Sequence, residues 1–140
     1  MPTSAFNKFN SFVEAVTEGV HNFETDQLVL ALCAAANAPV AGNTQLSDLT
    51  QISYTNLSSR NIITSSSGQA SGLYKLILTN LTLAASGGSV AAFRYAVIYN
   101  DDATNDELVG WYDYGSDLVL ADGESLNVNF DAANGAINLT

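Results

Sequence analysis

From Pro39 onward, short apolar segments alternate with turn-forming residues at intervals of roughly ten. Pro39, Gly42-Asn43, Ser86-Gly87-Gly88-Ser89 and Asp122-Gly123 are the clearest breaks. Such punctuation leaves no room for long helices and points to many short strands. The alternation is cleanest at 126–130. Leu126, Val128 and Phe130 fall on one side, and Asn127 and Asn129 on the other, as in a half-buried strand. Further strands are expected at Leu49–Tyr54, Asn61–Ser66, 73–84, 90–100, 107–115, 117–121, 124–130 and 135–139. The Ser/Gly-rich stretch from Ser65 to Gly72 reads as a spacer, and Asp122-Gly123 as a hairpin turn. No repeat is visible.

Upstream of Pro39 the pattern changes. Phe9, Phe12, Val13, Val16 and Val20 form one stripe at helical spacing, so residues 5–18 are expected to be a helix. Ser4 is placed to cap its start and Gly19 to close its end in the left-handed conformation. Residues 26–34 are apolar almost throughout and show no period. A buried helix and a buried strand both fit.

The 140 residues suit one domain. The expected fold is mainly β: an antiparallel, jelly-roll-like sandwich over 26–139, preceded by the helix and by an N-terminal arm over 1–7. A closed barrel is the competing architecture.

One register can be proposed from charge. If loop 101–106 joins an antiparallel pair, Arg94 can face Asp113, with Phe93 opposite Tyr114, Tyr95 opposite Tyr112, Ala96 opposite Trp111 and Val97 opposite Gly110. Opposite charges then meet, and small residues sit beside large ones. In that register Phe93, Tyr95, Tyr112 and Tyr114 share a face and Trp111 takes the other.

Composition narrows function by exclusion. Four Lys and Arg stand against fourteen Asp and Glu, a net charge of −10. Four cations cannot build the basic track that phosphate contacts require, so no nucleic acid is expected as a partner. The same deficit argues against an anionic membrane surface, and no apolar run approaches the length of a bilayer span. Cys33 and His21 are the only residues of their kinds, which leaves no internal disulfide, no zinc site and no expected cofactor. Both are read as structural. The start of the chain shows no basic-then-apolar leader, so three Asn-Leu-Ser/Thr matches are read as chance. The loop Asp101–Glu107 is dense in carboxylates but lacks the spacing of a calcium-binding hand, and reads as a solvated connection. No nucleophile elbow, phosphate loop or metal-ligand motif is present, and no enzyme activity is expected. The aromatic run Gly110-Trp111-Tyr112-Asp113-Tyr114-Gly115 could offer a stacking platform, but core packing is the preferred role.

Three stretches carry a likeness. They are Phe9–Phe23, Gly72-Leu-Tyr-Lys-Leu, and Phe93-Arg-Tyr-Ala-Val-Ile-Tyr-Asn-Asp running on to Asn105–Gly115. Leu120-Ala-Asp-Gly-Glu-Ser-Leu and Asn134-Gly continue it. Together they resemble a family of small tailed-bacteriophage virion proteins, and within it the branch that decorates the capsid exterior as cement. The likeness spans nearly the whole chain and is weakest over 43–70. It implies a strand at 27–33, no catalytic residues, the major capsid protein as partner, and self-association with a trimer favoured. The expected location is the outside of the virion capsid, because a −10 subunit is repelled by packaged DNA. Pro2, Phe6, Lys8, Phe9 and Arg60 are the candidate contacts to the shell or to neighbouring copies. A tail, baseplate or fibre protein, and a host-surface or carbohydrate-binding module, are the alternatives.

Overall fold

The computed structural model describes residues 4–140. Strand β2 (Leu28–Cys33) is buried at all six positions. Even-numbered Leu28, Leu30 and Leu32 enter one apolar cluster, while Val29, Ala31 and Cys33 enter another on the opposite face. A strand covered on both faces needs no polar alternation, which is why 26–34 shows no period. Covering one large aliphatic side chain is worth about 1.5–3 kcal/mol, so β2 is the most heavily buried element for its length.

Around β2 lies a five-stranded antiparallel sheet. Its other members are β1 (Asn7–Lys8), β3 (Asn61–Ile62), β7 (Phe93–Asn100) and β8 (Leu108–Leu118), in the order β1-β8-β7-β2-β3. A second sheet holds β4 (Thr64–Ala70), β5 (Leu73–Leu78) and β10 (Ile137–Leu139), in the order β10-β5-β4. The third pairs β6 (Leu81–Ala84) with β9 (Ser125–Val128). The larger cluster draws on all three sheets, through Leu30, Leu76, Leu83, Ile98 and Ile137 among others. The smaller one packs Phe9 and Leu108 against β2 and β7, with Leu46 and Leu49 half-covering it. The chain is therefore mainly β, with antiparallel sheets and one short helix.

That helix, α1, spans only Phe12–Thr17 rather than 5–18. Its apolar stripe is divided. Phe12 and Ala15 are buried, Phe9 precedes the helix at 0% exposure, and Val13 is 52% exposed. The preceding residues form β1 instead, because Asn7 and Lys8 pair with Trp111 and Gly110. Ser4 caps nothing; its hydroxyl accepts from the Asp113 N–H at 3.0 Å. Gly19 does close the helix. It has φ +76°, its N–H donates to Val16, and Val20 N–H donates to Ala15, a Schellman closure.

Several strand boundaries differ from expectation. The 73–84 segment breaks at Thr79-Asn80 into β5 and β6, which join different sheets. Ser65–Gly72 is no spacer, since 64–70 is β4, hydrogen-bonded to β5 and turned by Ser71 and Gly72 at positive φ. Pairing to an apolar strand overrides weak local propensity. Leu49–Tyr54 and 117–121 form no separate strands, although β8 runs on to Leu118. Asp122-Gly123 turns the chain but makes no hairpin, because β9 pairs with β6.

The proposed β7–β8 register holds only beside the loop. Tyr99 faces Leu108, but Ile98 faces Gly110, so Val109 is an extra residue on β8. That bulge moves the pairs from Val97 back to Tyr95 by one, and a second irregularity between Phe93 and Tyr95 sets Phe93 opposite Leu118 instead of Tyr114. Tyr95 faces Asp113, Ala96 faces Tyr112 and Val97 faces Trp111. Tyr95 and Trp111 consequently share the smaller cluster, and Tyr112 packs against the larger.

Gly110 permits the N-terminal segment to lie close along β8. A Cβ there would lie 2.2 Å from the Phe6 ring and 2.7 Å from the Asn7 carbonyl oxygen. Gly110→Ala should therefore cost about 1–3 kcal/mol of stability, read by urea unfolding. The Asn7 and Lys8 amides should lose hydrogen-exchange protection in the same variant. Unchanged protection there would show that β1 does not depend on this close approach.

Candidate partner-contact surface

The expected contact residues do not form one patch. Phe9 is wholly buried, with its ring centroid 4.6 Å from that of Trp111, so it is a core residue and no partner contact. Phe6 is half-buried and stacks at 5.5 Å, tilted, on Tyr112. It belongs to a docked segment rather than a free arm. Pro2 lies outside the described residues. Lys8 is exposed on β1. Arg60 sits far along the chain beside β3, and its charge is engaged. Its guanidinium lies 3.6 Å over the Tyr54 ring, and Nη1 donates to the Leu30 carbonyl at 2.7 Å.

The remaining two cations are also engaged. Lys75 Nζ donates to the Ala133 carbonyl at 2.9 Å. Arg94 grips Asp113 through two bonds, Nε to Oδ1 at 2.8 Å and Nη2 to Oδ2 at 3.1 Å. The two residues are not opposite one another in the ladder, but the strand irregularity at Arg94 lets the fork reach diagonally. Asp113 Oδ1 also accepts from the Gly115 N–H at 2.8 Å. Among the described residues this is the one ion pair.

Phe6 and Lys8 border an open groove of about 920 Å3. The N-terminal segment and α1 form one wall; β9, β10 and the residues between them form the other. Phe6, Phe12, Tyr112, Val128, Phe130 and Ile137 make it largely apolar, with Lys8 and Asp131 among its polar members. Burial, with Asp131 adding to it, pushes the Tyr112 hydroxyl up to about 12, so it stays protonated. The Asp131 carboxyl is held below its ordinary range by hydrogen bonds from the Asn134 backbone and side chain. The sequence reading missed the far wall, because nothing local shows that β9 and β10 return beside residues 6–13.

Other singled-out residues have structural surroundings. Trp111 is half-buried with one side taken by Phe9, so it is no open stacking platform. Cys33 is buried, and burial pushes its thiol up to about 11, away from the thiolate that reacts. Two carboxylates of the 101–107 loop are engaged by backbone amides: Asp102 accepts from the Gln27 N–H before β2 at 2.7 Å, and Glu107 from the Asn105 N–H within the loop at 3.2 Å. Among the described residues no group of three or more His, Cys, Asp or Glu is placed to hold a metal ion. No helix among them is long and apolar enough to cross a membrane.

His21 is buried between Phe12 and Phe23, with ring centroids 5.8 and 5.3 Å away. Asn100, at 0% exposure, donates through Nδ2 to His21 Nδ1 at 3.0 Å and to Asp26 at 2.7 Å. His21 Nε2 has no partner.

Compared with protein-family models, curated proteins and solved structures, the chain finds no match.

Two pH effects follow from these environments. Burial lowers the His21 pKa, while Glu107 and Asp26 oppose the shift. The unfolded chain then binds the proton more readily. His21 contributes stability that is complete above the ordinary imidazole value and lost as pH falls through the lowered one. His21→Gln should flatten the stability profile on the acid side of the ordinary imidazole value, read by thermal unfolding at stepped pH. The Asp113 carboxyl is held below its ordinary range, chiefly by Arg94. Its contribution is complete above that range and disappears as pH falls through the depressed value. In Arg94→Met the Asp113 carboxyl resonance should titrate closer to the ordinary range; an unmoved midpoint would assign the depression to Gly115 instead.

Proposed function

We propose that this protein is a non-enzymatic decoration protein of a tailed-phage capsid. It sits on the outside of the shell and adds contact across the joints between neighbouring capsomers. The observation carrying this reading is the likeness of Phe9–Phe23, Gly72–Leu76 and Phe93–Gly115 to small virion proteins. In it the sheets close as a jelly-roll-like sandwich, and the major capsid protein and further copies of the chain are the partners, with a trimer favoured.

The geometry supports the reading in two ways. Exposed Lys8 lies beside an apolar groove, a combination that suits a protein partner with an acidic rim. A surface with few charges also loses little on desolvation when it is laid against protein, whereas unpaired buried charge is expensive. A tail, baseplate or fibre role keeps the virion assignment but changes the copy number. The carbohydrate-binding alternative is disfavoured by Phe9 covering one side of Trp111.

Copy number in purified particles decides between these roles. Decoration predicts hundreds of copies per particle, measured by quantitative mass spectrometry and located by particle reconstruction. A few dozen copies at one vertex would move the protein to the tail, and none would remove it from the virion. Lys8→Glu should lower shell occupancy while leaving the unfolding transition in place, since Lys8 is exposed.

A further inference from the structure

β4 is an edge strand with an open side. It lies at the end of the β10-β5-β4 sheet and runs Thr-Ser-Ser-Ser-Gly-Gln-Ala, with neither charge nor proline. Its residues are exposed or half-buried throughout. The two-residue turn at Ser71-Gly72, with φ +53° and +83°, sets the hydrogen-bonding phase of the hairpin. Ala70 and Leu73 flank the turn and bond to each other; the ladder alternation then turns the N–H and C=O groups of Ser67 and Gln69 away from β5. Edge strands are usually blunted by lysine, proline or bulges. Here the only such device within β4 is the irregularity between Thr64 and Ser66, at one end.

Charge says what can approach this edge. All fourteen Asp and Glu lie within residues 1–48 or 101–140. Residues 49–100 carry Arg60, Lys75 and Arg94 and not one carboxylate. β4, its partner β5 and Ile63, which accepts from Thr79 N–H at 2.8 Å, all belong to that acid-free stretch. Two copies of a −10 chain repel across most of their surfaces, but the β4 edge can meet its own copy without bringing carboxylates together.

Gly68 adds an independent sign. It sits in mid-strand, where glycine weakens a sheet, yet its φ is ordinary and a Cβ would meet nothing within 4 Å. The chain's own packing does not require it. Close approach of another backbone is a recognised use of glycine within a strand.

We propose that β4 pairs antiparallel with β4 of a second copy across a two-fold axis passing near Gly68, joining two three-stranded sheets into one. The contact is isologous, so each copy supplies the same groups. It concerns this chain's own copies, replaces the trimer that the likeness favours with a two-fold pair, and holds whether or not the protein sits on a shell.

The test uses the full chain. Sedimentation equilibrium at rising concentration should show the particle mass doubling. Ser67→Pro removes one outward N–H from each copy and should weaken the association about tenfold or more. Gly68→Lys places like charges beside the axis, enters open space in the single copy, and should weaken it without moving the unfolding transition. Gly68→Cys should give a covalent dimer under mild oxidation, with Cys33 buried and silent, while Ser125→Cys on exposed β9 should not. If Ser67→Pro fails to fold, the two Gly68 variants decide. A mass independent of concentration would overturn the proposal. So would doubling that survives Gly68→Lys, or cross-linking at 68 no greater than at 125. Loss of binding to a different protein, with no self-association to lose, would assign the edge to that protein and also overturn it.

Discussion

Covering β2 on both faces is the constraint around which the rest is arranged. A single sheet cannot bury its own central strand, so each face recruits separate material. One face gathers the two smaller sheets, with Leu76, Leu83 and Ile137 meeting Leu28, Leu30 and Leu32. The other is closed by Phe9, Leu108 and the 46–49 turn. Phe9 explains much of the N-terminal geometry. Its side chain must reach the far face, and the chain before it pairs along β8, so β1 replaces the first turns of the expected helix. The close approach to Gly110 follows from that pairing.

The mainly antiparallel β character was legible because turn chemistry is local. Gly19, Gly87 and Gly123 each adopt positive φ at an expected break. Pairing partners were not legible, because they depend on residues far apart. A single inserted residue, Val109, shifted the β7–β8 ladder and brought Tyr95 and Trp111, expected on opposite faces, onto the same one. β4 escaped notice because Ser and Gly carry little strand propensity, and its pairing with β5 is what orders it. The contact surface was legible only in part. Lys8 is exposed as expected, but Phe9 went to the core and Arg60 to Tyr54. A cation on an acidic chain looks free for a partner until the nearest ring or carbonyl is known.

Charge acts on this molecule more through where it is missing than through pairs. The Arg94–Asp113 ion pair is about a third exposed on each side, and pairs of that kind add little to stability. The separation of carboxylates from the 49–100 stretch is a larger-scale effect. It leaves the β4–β5 hairpin without a carboxylate of its own, while the acidic remainder of a −10 chain repels other copies. The proposed place on a capsid exterior and the open β4 edge draw on that same asymmetry from different sides. One concerns what the protein avoids, and the other what it can touch.

The pairing pattern also sets the order in which the chain can become ordered. β2 waits for β7, β1 for β8, β6 for β9 and β5 for β10, all distant partners whose loops are entropically slow to close. The β4–β5 hairpin needs only its two-residue turn and can form on the order of microseconds. On a ribosome, Ile137 is the last residue of the larger cluster to emerge, so that cluster stays incomplete until β10 is made. The hairpin with the open edge thus becomes available before the core that supports it, and crowded nascent chains would meet first through the strand whose outer side the single folded chain leaves open.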